Sequence, residues 1–180
     1  QTLVTQTLYN GVMNQRDPNE EPLMPVMKMS WLDAVKFCNH LSVEMSLEPY
    51  YLIEDATEDG CRVSTPNGDG LGFRLPTRLE WCYAASACQP FPYSGGGDPS
   101  EVAWSAHNSG SKVHSVAQLH PNRWGLYDLS GNLWEWCHDG PKDSTFPITC
   151  ASATHPKWLL GGSWANHPWI LPIGEELSEH

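Results

Sequence analysis

The sequence predicts an α+β domain built from a few early helices and many short extended pieces. Three observations carry this. Capped amphipathic segments stand before residue 90, at residues 6–14, 31–42 and 77–85. After Cys88 the texture changes to Pro90, Pro92, Gly95–Gly97 and Pro99 with many Ser and Asn residues, where only short strands fit. The chain has 180 residues and neither an internal repeat nor a low-complexity tail, so residues 1–180 read as one domain.

Each element has a local reason. Thr5 caps a helix over about residues 6–14, where Leu8, Tyr9, Val12 and Met13 share a face. Ser30 and Asp33 form a capping box. Behind it, Trp31, Ala34, Val35, Cys38 and Leu41 make one apolar stripe to about Ser42. The stretch Tyr50–Gly72 alternates extended pieces with Asn-Gly and Asp-Gly turns and reads as a hairpin or an inserted loop. Pro76-Thr77 starts a third helix, with Glu80 placed for a second capping box. Short strands are expected at Trp134–Cys137 and Trp158–Leu160. On the first of these, Trp134 and Trp136 share a face opposite Glu135 and are expected in the core.

Composition narrows the function. The net charge of −11 repels phosphate backbones, so nucleic acid is not an expected partner. No stretch approaches the roughly 20 apolar residues of a membrane-spanning helix. Nine Trp suit an aromatic core, a ligand face, or both. The six cysteines, Cys38, Cys61, Cys82, Cys88, Cys137 and Cys150, read as buried thiols or as one or more bridges. They include no Cys-x-x-Cys pair that would suggest structural zinc. The eight histidines lack the spacing of a helical metal pair, and His138 and Asp139 point opposite ways on a strand, so no catalytic role is expected of them.

Three strings stand in order: Gly72-Phe-Arg-Leu-Pro-Thr-Arg-Leu-Glu-Trp-Cys-Tyr-Ala-Ala85, Trp124-Gly-Leu-Tyr-Asp-Leu-Ser-Gly-Asn-Leu-Trp-Glu-Trp-Cys137 and Gly161-Gly-Ser-Trp164. With Met29–Ala34 and Phe37–Ser42 before them, they resemble the formylglycine-generating enzyme (sulfatase-modifying factor) family over most of the chain. The resemblance implies a C-type-lectin-like fold. It weakens after Trp164, where only Ile173-Gly174 is similar to the family's closing strand. The chain opens inside a family motif, so a leader or anchor is expected before Gln1.

The family's oxidases use two cysteines, three and eight residues after the Ser of Gly-Gly-Ser-aromatic, as copper ligands. Here those positions hold Asn166 and Leu171, so no copper is expected. Calcium is a different matter. Asp128, Gly131 and Glu135 punctuate a turn whose carboxylates and carbonyls suit an ion that takes 6–8 oxygen ligands. The resemblance implies as ligands Asp128, the carbonyls of Leu129, Gly131 and Leu133, and Glu135. A tight turn with carboxylates capping amides is the alternative. Val102 stands where the family has a second calcium ligand, so one site is expected.

Cysteine-free relatives of this family include the variable proteins of bacterial diversity-generating retroelements, which display changeable residues after a Gly-Gly-Ser-Trp string. The chain resembles them in length and in its missing thiols. The implied function is a non-enzymatic display protein at the bacterial cell surface or secreted. Its expected ligand face is Trp164, Ala165, Asn166, His167, Trp169, Ile170 and Pro172, and its expected partner is a protein or another macromolecule. Trp164 and Trp169 are expected as framework, while Ala165, Asn166, His167, Ile170 and Pro172 are expected to be replaceable without loss of fold. The alternative is an oxidase, or a degenerate regulatory homologue with different chemistry.

Overall fold

A computed structural model describes residues 1–57, 60–65, 70–141, 151–152 and 156–179, with side chains omitted at 55–57, 60–62, 151–152 and 176–179. The two capping boxes form as their spacing dictates. α1 (Gln6–Val12) starts from Thr5, whose hydroxyl accepts from Leu8 N. α2 (Trp31–Glu44) starts from Ser30, with Ser30 Oγ accepting from Asp33 N and Asp33 Oδ2 accepting from Ser30 N. The hairpin at Tyr50–Gly72 comprises β1 (Leu52–Thr57) and β2 (Gly60–Ser64), which pair antiparallel. α3 (Arg78–Ser86) opens on the second box, Thr77 with Glu80, and ends at Ala87 in a left-handed conformation with φ 45°.

After α3 the elements are short. They are α4 (Pro99–Val102), β3 (Glu135–Trp136), β4 (Ala151–Ser152), β5 (Lys157–Leu160), a 3₁₀ turn at Pro168–Ile170 and β6 (Glu176–Glu179). Two three-stranded antiparallel sheets result, in the orders β1-β2-β4 and β3-β5-β6. The strand expected over Trp134–Cys137 is limited to Glu135–Trp136, which pair with Leu160 and Leu159. The acidic C-terminal tail supplies β6, which no sequence period marked. Backbone pairing with β5 fixes it, with Lys157 opposite Glu179 and Leu160 opposite Glu176. The result is an α+β, C-type-lectin-like fold.

Small apolar clusters hold the parts together. Tyr9, Val12 and Phe37 join α1 to α2. Trp31, Val35, Cys38, Tyr50, Tyr51 and Val63 join α2 to the hairpin, with Trp136 packed against them. Trp81, Ala85, Cys137 and Leu160 join α3 to the second sheet. Trp134 and Trp136 are each half-buried rather than enclosed. Trp136 is anchored by its Nε1–H, which donates to Met29 O at 2.9 Å. Cys38 and Cys137 are buried free thiols, and burial pushes the Cys38 thiol up to about 12. Cys82 is half-buried and Cys88 is an exposed free thiol, while the side chains of Cys61 and Cys150 lie outside the described residues.

Candidate functional site

Ser163 begins a turn that its own neighbours lock. The side-chain carbonyl of Asn166 accepts from Ser163 N at 2.9 Å and from Ser163 Oγ at 2.7 Å, and Asn166 N donates to Ser163 O at 3.0 Å. The loop after α4 repeats this arrangement. Asn108 Oδ1 accepts from Ser105 N at 2.8 Å and Ser105 Oγ at 3.2 Å, and Asn108 N donates to Ser105 O at 3.2 Å. The two turns are bonded side by side, through Ala106 N to Asn166 O at 2.9 Å and Ser109 Oγ to Trp164 O at 3.0 Å.

Buried Asn132 fastens this pair to the segments at Trp104 and His114. Its O accepts from Trp164 N at 2.9 Å, and its amide exchanges two hydrogen bonds with the His114 backbone. Gly131 must be glycine: φ is 78° and a Cβ would overlap Trp104 O. Gly162 must also be glycine, because φ is 75° and a Cβ would overlap Leu171 Cδ2.

The predicted ligand residues divide on this frame. Ala165 is exposed, Trp169 is 66 % exposed, and Trp164, His167, Ile170 and Pro172 are half-buried. Asn166, expected among the replaceable positions, has its side chain hydrogen-bonded across the Ser163 turn. Leu171, at the second position where the oxidases carry a thiol, is 1 % exposed and packs with Val102 and Ala103. Sequence reasoning missed the 105–109 turn as a neighbour of this face. The repeated Ser-x-x-Asn spacing, at Ser105 and again at Ser163, was the available signal. Next to Trp164, an open cleft of about 550 Å³ runs between Met24, Met27, Val113 and His114.

The second predicted site is the Asp128 turn. Asp128 is buried with φ 63°, and its Oδ2 accepts from Ala117 N at 2.9 Å. Burial raises its pKa, and the Ala117 hydrogen bond opposes that rise. Glu135 Oε2 accepts from Trp81 Nε1 at 3.1 Å, while Oε1 is buried with no partner. Burial pushes the Glu135 carboxyl up to about 8; the Trp81 hydrogen bond opposes this and the charge of Asp128 adds to it. Among the described residues no three His, Cys, Asp or Glu side chains gather around one point. A metal here would rest on two carboxylates and backbone carbonyls, an all-oxygen set that suits calcium. The unpartnered Oε1 and two carboxylates disfavoured by burial fit a cation that would offset both.

Residues 4–178 match the model of the sulfatase-modifying factor enzyme 1-like domain. The chain belongs to that family. Its sequence is 37 % identical to the chaperone protein LppX of Paenibacillus barcinonensis, over 79 % of this chain and 59 % of LppX. It is 31 % identical to the formylglycine-generating enzyme of Thermomonospora curvata, over 67 % of this chain and 35 % of that enzyme. The chain thus spans 59 % and 35 % of the lengths of these two relatives. Among solved structures, Treponema denticola variable protein 1 superposes with a TM-score of 0.81 at 30 % identity, covering 99 % of this chain and 77 % of that one. The fold of this sulfatase-modifying factor-like domain is therefore also that of a variable protein. No described helix is long and apolar enough to cross a membrane.

Proposed function

We propose that this domain is a non-enzymatic display protein that binds a protein or other macromolecule through Trp164–Pro172, as the variable proteins of diversity-generating retroelements do. One observation carries the reading. The exposed and half-exposed side chains of this segment stand on a pair of turns whose hydrogen bonds come from backbone and from Ser and Asn side chains. Such a support holds the surface while its outward side chains change. The likeness to a variable protein in overall structure supports the same reading. A bacterial surface or secreted location goes with it.

Sequencing the final codons of this gene in many clones tests the proposal. Substitutions gathered at Ala165, His167, Ile170 and Pro172, with Asn166 and Leu171 kept, are expected. A uniform segment would overturn it. The competing oxidase needs thiolate ligands where Asn166 and Leu171 stand. Copper-dependent turnover of a Cys-containing sulfatase peptide, lost on changing another cysteine, would favour it.

Calcium belongs to the support of this function. Asp128, Glu135 and the carbonyls of Leu129, Gly131 and Leu133 would hold the ion, which would supply charge neutralisation and rigidity rather than chemistry. The turn they form leads straight into Asn132, the residue that fastens Trp164.

A further inference from the structure

His107 and His167 are 60 positions apart in sequence, and the paired turns bring their rings to a centroid separation of 4.2 Å with planes at 81°. The approach is built in rather than incidental. His107 sits inside the Ser105–Asn108 turn and His167 follows the Ser163–Asn166 turn, and Ala106 N bonds Asn166 O between them. His167 is held again by stacking on the Trp169 ring. Its Nδ1 is buried with no hydrogen-bond partner. Burial and the neighbouring His107 both lower the pKa of His167. The net charge of −11 favours cations at the surface generally.

We propose that His107 and His167 form a two-imidazole site for a divalent transition-metal ion of the zinc, nickel or copper class. Imidazole nitrogen suits these ions and not calcium or magnesium. Among the described residues no third His, Cys, Asp or Glu joins the pair. The ion therefore keeps open positions, filled by water or by a donor group of whatever docks on the adjacent face. The site does not depend on the display function, because metal alone reports it.

Tag-free full-length protein is titrated with zinc by calorimetry at pH 7.5, in excess calcium to keep the Asp128 turn out of the measurement. One equivalent binding in the micromolar range is expected. His107→Ala and His167→Ala are each expected to weaken it at least tenfold with unchanged melting curves, and magnesium is expected not to compete. His107→Gln, which keeps the size but not the imidazole, is expected to behave as His107→Ala. Absence of zinc binding, or binding that survives both alanine substitutions, would overturn the proposal. A final segment uniform across clones, with zinc binding retained, would sink the reading of the previous subsection and leave this one standing.

Discussion

Replacing Asn166 by Ala separates a turn that supports the face from a residue that merely belongs to it. The substitution removes the side-chain carbonyl that accepts from Ser163 N at 2.9 Å and from Ser163 Oγ at 2.7 Å. Each such hydrogen bond contributes about 0.5–1.5 kcal/mol net. Ser163 is half-buried, so water satisfies part of what is lost. A destabilisation of about 1.5 kcal/mol follows, toward the lower end of the range for two bonds. For a domain of this size that is a drop of about 3–6 °C in melting temperature. The exposed neighbour gives the contrast: Ala165→Ser is expected to change stability by less than about 0.5 kcal/mol. Urea or thermal unfolding of both variants is the assay. An Asn166→Ala variant as stable as the Ala165→Ser variant would refute the claim that this side chain holds the turn. It would return Asn166 to the replaceable positions.

Leu171→Ala is expected to cost about 2–5 kcal/mol by equilibrium unfolding, because a fully buried leucine is cut back against Val102, Ala103 and Gly162; a change below about 1 kcal/mol would show that the segment repacks freely. Calcium is expected to raise the melting temperature and chelation to lower it, with Asp128→Ala abolishing the difference; equal curves with calcium and chelator would favour the plain turn. Bonds from Arg74 hold the Glu80 carboxyl down at about 2, burial opposing and the Thr77 amide assisting. A depressed carboxylate stabilises the fold above its ordinary pKa, so this contribution is present above about pH 4.5 and lost as pH falls toward 2. The pair is half-exposed, which screens the effect to about 1 kcal/mol. Acid unfolding of Glu80→Gln is expected to lack this part of the pH dependence, and identical profiles for variant and wild type would contradict it.

What the sequence determined by itself was whatever is written within a few residues. Ser30 with Asp33 and Thr77 with Glu80 close their capping boxes over three positions, so the helix starts were legible without a fold. The Asp-Gly pair at 59–60 marked the break between two strands that pair antiparallel, while Asn67-Gly68 lies outside the described residues. The Gly161-Gly-Ser-Trp164 string and the absent thiols placed the face at the C-terminal end. Only the tertiary structure showed which side chains of that proposed face are bonded into its turns. Asn166 resembled its neighbours in type, yet its side chain closes a turn that the Asn132 corner and the 105–109 turn hold in place. Leu171 became core because Gly162 leaves room for it. β6 exists because β5 offers it an edge, and His107 meets His167 because two separate turns bond to each other. Contacts between segments tens of residues apart follow from chain closure and packing; the Ser-x-x-Asn spacing marks each turn but does not encode that the two meet.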